Sequence, residues 1–311
     1  MSRIHEALKK AEQERASEPR PEAGPRAAEA AVVPREAFPP AATESTTKPV
    51  PGTETRTGPL TLEGVLASCH QPRWSPDPQM MLFQNSQNHV NGAEEFRTLR
   101  SRLYQIREKQ PLRTMRTLLV TSALPGEGKT LVAANLAHVI VRQHERRALL
   151  IDGDLRWSRL HRLLGAPAAP GLSEYLRGEA DEFAVIQRGP QGNLFFIPGG
   201  KSVSNPAELI GTGRLKSLVQ RLAPIFDWII VDSPPVIPVS DATLLAEACD
   251  GVLIVVRAAS TPFDLAQKAC HEFRDRHLLG VVFNQVRPGV GYSSYYFKHY
   301  PDLQVAKKGK D

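Results

Sequence analysis

The stretch "ALPGEGKT", Ala123 to Thr130, fits the spacing G-x-x-x-x-G-K-[ST] except that alanine holds the first position. Such a loop grips phosphate through several effects at once. Gly126 and Gly128 let backbone N–H groups curl inward, and a helix starting at this point aims the positive end of its dipole at the same spot. Lys129 reaches the β- and γ-phosphates, and Thr130 offers a hydroxyl to Mg²⁺. The nucleotide-binding set read from the loop is Pro125, Gly126, Glu127, Gly128, Lys129, Thr130 and Leu131. A glycine turn joining strand to helix would look similar, but the paired Lys-Thr between an apolar strand and a helical run favours ATP with Mg²⁺.

Two further apolar runs end in carboxylates. "ALLIDGDLR" carries Asp152 and Asp154, and "WIIVDSPP" carries Asp232. One aspartate at a strand end is commonly a cap or a turn residue. Three of them are different, because in a doubly wound sheet ligands sit beyond the carboxyl ends of the strands. The acids and the phosphate loop would then converge on one crevice. Mg²⁺ suits such a place, since it prefers oxygen, keeps several waters and takes only one or two protein carboxylates.

The elements that position these groups alternate from Val90 onward. "AEEFRTLRSRLYQI" has helical periodicity, "TLLVTS" reads as a strand, "KTLVAANLAHVIVRQ" as a helix and "RALLID" as a second strand. "NLFFIP", "FDWIIVDS", "GVLIVV" and "GVVFNQV" follow as strands between helical stretches. Near-continuous apolar strands alternating with helices specify a parallel sheet covered on both faces. The fold class is α/β, a doubly wound and mostly parallel sheet of the P-loop NTPase type. It should carry a disordered N-terminal extension and a flexible, tyrosine-rich C-terminal tail.

Four segments are expected. Residues 1–16, "MSRIHEALKKAEQERA", read as an amphipathic helix that docks on a partner or frays; residues 17–89, rich in Pro, Ala, Glu and Thr, read as a disordered linker. Within that linker the apolar patch Met80 to Gln84 is a candidate for packing on the domain. Residues 90–290 form the P-loop domain, and residues 291–311 the tail.

The totals of the 311-residue chain exclude several classes. Cys69, Cys249 and Cys270 are too few and scattered for a disulfide framework or a zinc site, which fits a reducing cytoplasm. No apolar run has the length of a membrane span, and the start shows no signal-peptide pattern. The formal net charge is +6, but the arginines are dispersed and no basic helix is interleaved with aromatics, so nucleic acid is not an expected partner.

The loop, "LLIDGDLR" and "IIVDSPP" resemble the Walker A, Walker A′ and Walker B elements of the bacterial tyrosine kinases of capsule and exopolysaccharide export. "PGLSEYLRG", "FIPGG" and "NPAELI" resemble that family's connecting segments. The likeness spans about Val90 to Tyr300. It implies that Asp154, Thr130 and Asp232 hold Mg²⁺, that Lys129 acts on the phosphates, and that Asp152 is the base toward an incoming tyrosine hydroxyl. It also places Arg156 at the nucleotide, and likeness to related ATPases gives Asn284 the position that reads the base, although an asparagine capping a strand fits as well. The sequence departs from the family pattern after Arg156, with Trp157 and Ser158 where a basic residue and a proline are usual.

The same resemblance makes Tyr292, Tyr295, Tyr296 and Tyr300 in "GYSSYYFKHY" the phosphoacceptors. Glu94, Arg97 and Arg100 spell E-x-x-R-x-x-R along one helix face; this is a solvated face or, as the resemblance implies, the contact that closes a homo-oligomeric ring. Each tail would then be phosphorylated in trans. The implied activator is a membrane chain-length or co-polymerase protein, which would leave this chain cytoplasmic and membrane-associated through that partner. The amphipathic start and Lys307, Lys308 and Lys310 are candidates for docking at the membrane side. A nucleotide-switched positioning or scaffold ATPase without kinase activity is the competing reading. The septum-site and plasmid-partition ATPases carry a lysine where this chain has Leu124, which weighs against it.

Overall fold

A computed structural model describes residues 60–82, 92–109 and 115–286. The expected N-terminal helix and the tyrosine cluster lie outside these residues. In chain order the elements are α1 (Leu62–Ser68), α2 (Ala93–Glu108), β1 (Thr117–Ser122), α3 (Lys129–Val141), β2 (Ala148–Asp152) and α4 (Leu160–Leu164). Then come α5 (Leu172–Arg177), α6 (Glu182–Val185), β3 (Gln187–Arg188), β4 (Leu194–Ile197), α7 (Pro206–Ile210) and α8 (Arg214–Leu222). The chain continues through β5 (Trp228–Asp232), α9 (Asp241–Leu245), β6 (Gly251–Arg257), α10 (Phe263–Glu272) and β7 (Leu278–Asn284).

The strands form one seven-stranded sheet in the order β3-β4-β2-β5-β1-β6-β7, parallel except where β3 runs against β4. β1, β2 and β5 are buried along their whole length, which is why they read as unbroken apolar runs without alternation. Alternate residues feed two cores. Leu119, Leu149, Ile151, Ile229 and Val231 face one layer, and Leu118, Val120, Leu150, Trp228 and Ile230 face the other. The two-residue β3 carries too little pattern to be read from sequence.

α3 carries the phosphate loop at its start and is buried on every side from Val132 to Ile140. Ala133, Ala134 and Ala137 let it lie close to the sheet. His138 belongs to this helix, and Gln191 Nε2 lies 2.6 Å from its Nε2, where the amide donates to a neutral ring. Burial, and then Arg142, lower the His138 pKa from 6.5 to about 4. Between these values the unfolded chain binds the proton and the folded chain does not, so His138 contributes stability above pH 6.5 that is lost as pH falls toward 4. Urea unfolding at stepped pH should show His138→Gln losing less than the parent across that window, by on the order of 3 kcal/mol; parallel curves would refute the assignment.

The linker expected over residues 17–89 does not extend that far. Thr61 caps α1 by accepting from the Gly64 N–H, and Leu60 and Val65 are buried in the first core. The chain then crosses the edge of the sheet: His70 N donates to Ile186 O, and Arg188 N donates to His70 O. On the far face Trp74 meets Phe196 edge to face at 6.0 Å, and Met81 is buried. Buried Asn135 closes the segment, accepting from Leu82 N and donating to Met80 O. Residues 60–82 are therefore a strap that covers the β3 edge and ties one face to the other. The packing expected of the Met80 patch is present at Met81 and Leu82. Composition hid the strap because its apolar anchors, Val65, Trp74 and Met81, are far apart and follow no single period. Cys69, Cys249 and Cys270 are free thiols.

Candidate nucleotide and phosphoryl-transfer site

β1 ends in the phosphate loop and lies between β5 and β6 in the sheet. Gly126 and Gly128 adopt φ of 83° and 93°, the left-handed backbone that glycine takes without strain. A Cβ on Gly128 would stand 2.0 Å from Asn284 Nδ2. The turn is braced from within. Buried Glu127 accepts from Leu124 N at 2.7 Å and from the Thr261 hydroxyl, and Asn284 Nδ2 donates to Glu127 O at 2.9 Å. Asn284 thus sits at the loop, holding its shape. Glu127 likewise acts on the loop through its side chain.

β2 and β5 are adjacent and in register, with Asp152 opposite Asp232. Gly153 fits between them because a Cβ there would lie 2.7 Å from Asp232 O. Lys129 Nζ reaches across to Asp154 Oδ2 at 3.0 Å and lies 3.9 Å from Asp232 Oδ1. The Thr130 hydroxyl donates to Asp232 Oδ2 at 2.7 Å. Asp152 accepts from Ser158 Oγ at 2.7 Å and from the N–H groups of Asp154 and Leu160. Lys129, Thr130, Asp152, Asp154 and Asp232 therefore converge on one crevice.

The electrostatics follow from burial. Burial, and then the Asp232 charge, push Asp152 well above the usual carboxylate range, against the Ser158 hydrogen bond. Burial also raises Asp232, opposed by Lys129 and by the Thr130 hydroxyl. For Lys129 burial works to lower the pKa, but Asp232 and Asp154 outweigh it and hold the ammonium charged. A carboxyl raised in this way is a better proton acceptor than a free one.

The donor set fits Mg²⁺. Asp232 Oδ1 is buried without a hydrogen-bond partner, next to the Thr130 hydroxyl. Among the described residues no group of three or more His, Cys, Asp or Glu could cage a metal alone. An ion at Thr130, Asp154 and Asp232 would complete its shell with water and phosphate oxygens.

Arg156, two residues beyond Asp154, is engaged by another carboxylate. Its guanidinium forms a two-pronged pair with buried Asp241 at 2.6 and 3.0 Å, so it anchors α9 to the segment after β2. A wall beside Asp152 comes from the connecting segments. Leu172 N and Ser173 N donate to Pro198 O and Gly199 O, and Glu174 accepts from the N–H groups of Gly171 and Lys201. A Cβ on Gly199 would meet Ser158 Cβ at 2.8 Å, so this glycine lets the wall close on the Asp152–Ser158 pair. Glu174 carries no signal of its own in the sequence, and Ser158 stands out there only as a departure from the family pattern, without a role. A serine six residues beyond an aspartate carries no signal until the chain folds back. On α2, Glu94 and Arg97 pair with each other at the surface, while Arg100 turns inward and donates to Val139 O at 2.8 Å. Arg100 thus caps the last turn of α3 as well as lying on the motif face.

A mostly parallel sheet with a phosphate loop after β1, an acid at the end of the neighbouring β5 and two more at and just past the end of β2, one strand further on, defines a P-loop nucleotide-binding protein. No family model matches the chain. It is 32% identical over 194 residues to "Tyrosine-protein kinase YwqD" of Bacillus subtilis (strain 168), spanning 62% of this chain and 80% of that protein. It is 32% identical over 186 residues to "Tyrosine-protein kinase wzc" of Salmonella typhimurium, covering 59% of this chain but 26% of that longer protein. Its structure resembles the kinase domain of the Escherichia coli tyrosine kinase ETK, with a TM-score of 0.63 and 27% identity, over 76% of this chain and 91% of that domain. The chain belongs to the bacterial tyrosine-protein kinase family.

Proposed function

We propose that this chain is an ATP-dependent protein-tyrosine autokinase that transfers the γ-phosphate of Mg-ATP to tyrosines in residues 291–300 of a neighbouring copy, in the control of exopolysaccharide or capsule export. The observation that carries the reading is the convergence of Lys129 and Thr130 with Asp152, Asp154 and Asp232. Bound Mg²⁺ would neutralise phosphate charge. The tyrosine oxygen attacks the γ-phosphorus, the bond to the bridging oxygen of ADP breaks, and the phenolic proton passes to Asp152. Lys129 leaves Asp154 for the phosphates, and Asp152 is kept in place by Ser158 and Leu160. Positioning and charge stabilisation of this kind supply most of the catalysis in phosphoryl transfer.

Chain length permits either route to the tail. β7 and β2 are four strand steps apart in the sheet, or ~19 Å. Tyr295 follows Val286 by nine residues, a contour of ~30 Å. Transfer in trans is the reading because the E-x-x-R-x-x-R face of α2, where exposed Glu94 pairs with Arg97, would dock on a neighbour in a head-to-tail ring. Among the described residues no helix is long and apolar enough to cross a membrane, and a membrane co-polymerase is the proposed activator.

A mixing experiment tests the route. Lys129→Met protein with an intact tail is combined with protein whose Tyr292, Tyr295, Tyr296 and Tyr300 are phenylalanine, and both are given labelled Mg-ATP. Label on the tail of the Lys129→Met chain is expected. Label in the parent alone, with none in the mixture, would leave transfer confined to one chain.

A further inference from the structure

The segment Asp154 to Ser158 is tied down almost atom by atom. Asp154 pairs with Lys129, Arg156 with Asp241, the Trp157 N–H donates to Asp154 Oδ1 at 3.0 Å, and the Ser158 hydroxyl donates to Asp152. The exception is the Trp157 indole, which is 72% exposed, whereas the other two tryptophans, Trp74 and Trp228, are buried. A large ring held out in solvent by a tightly bonded backbone thus stands one residue from the serine that orients Asp152.

Which ligand it meets follows from the sheet order. The phosphate loop follows β1; β2, which carries Asp152 and leads to Trp157, lies two places to one side, and β7, which carries Asn284, lies two places to the other. Asn284 packs on the loop at Gly128. The phosphates lie between these sides, and the proton-accepting carboxylate is on the Trp157 side. A group reaching Asp152 from that side would come up beside Trp157.

Building on the kinase reading, we propose that Trp157 is the platform on which the ring of the acceptor tyrosine stacks, a positioning and specificity residue for aromatic acceptors. Offset or edge stacking of two aromatic rings is worth ~0.5–1.5 kcal/mol beyond area burial, which is up to about tenfold in affinity. The selectivity has a simple origin: serine and threonine present no ring to stack.

The test uses the full chain and a synthetic peptide of sequence GYSSYYFKHY as acceptor, comparing the parent with Trp157→Ala and Trp157→Phe. Both substitutions keep the backbone N–H that holds Asp154. For Trp157→Ala, KM for the peptide should rise about tenfold, with kcat and the KM for ATP within about twofold of the parent; Trp157→Phe should recover most of the loss. Peptide should also alter the indole emission of the parent, and not of Trp157→Phe, because the two remaining tryptophans are buried. An unchanged peptide KM in Trp157→Ala, or a rise in the KM for ATP instead, overturns the platform and leaves the kinase reading standing. A parent that shows the emission change but transfers no phosphate supports the platform and removes the kinase reading.

Discussion

Lys129→Met is expected to cost the protein twice, in catalysis and in the stability of the nucleotide-free fold. Lys129 is the cation facing a crevice that holds buried Asp152, Asp154 and Asp232, and it lies 3.0 Å from one and 3.9 Å from another. Removing one partner of a buried ion pair leaves its charge uncompensated, a change that typically costs ~3–5 kcal/mol. In the proposed transfer the same ammonium meets the moving phosphate, and loss of one such electrostatic contact lowers turnover by ~10²–10³-fold. Phosphotyrosine yield and urea unfolding on one preparation check both effects. The stability loss should shrink as pH falls, because protonation of the raised Asp152 and Asp232 carboxyls removes the uncompensated charge. A variant that loses activity with no change in unfolding would mean that the lysine is solvated in the free protein.

Trp74→Ala separates a strap from a linker. If residues around Trp74 were solvated chain, the substitution would cost almost nothing. In the fold the indole is buried against Phe196, and Gly189 leaves room for it, since a Cβ there would lie 2.6 Å from the ring. Truncating a buried tryptophan to alanine costs ~3–5 kcal/mol. For a folded region of this size that lowers Tm by about 10 °C. Thermal unfolding followed by near-ultraviolet dichroism reads it, and an unchanged Tm would detach the strap from the domain.

What the sequence made legible was whatever is local. The strands β1, β2, β5 and β6 are uninterrupted apolar runs, and the loop between β1 and α3 has fixed glycine spacing. That was enough for the parallel sheet and for Lys129, Thr130 and the aspartates. Contacts set by tertiary approach were not legible. Nothing near Arg156 in sequence announces Asp241, which lies 85 residues away, and nothing near Asn284 announces that it braces the glycines of the loop. The edge crossing at His70 exists only because β3 is present to receive it, and β3 is two residues long.

In the proposed reaction this crevice moves phosphate to a phenol and Asp152 takes the proton. Nucleotide binding and phosphotyrosine yield, measured together in Asp152→Asn, decide it. The substitution keeps the size of the side chain and an acceptor for Ser158, and removes the proton acceptor. Mg-ATP should still bind, and transfer to tyrosine should fall by ~10²–10⁴-fold. Full binding together with transfer at the parent's rate would show that Asp152 does not take the proton.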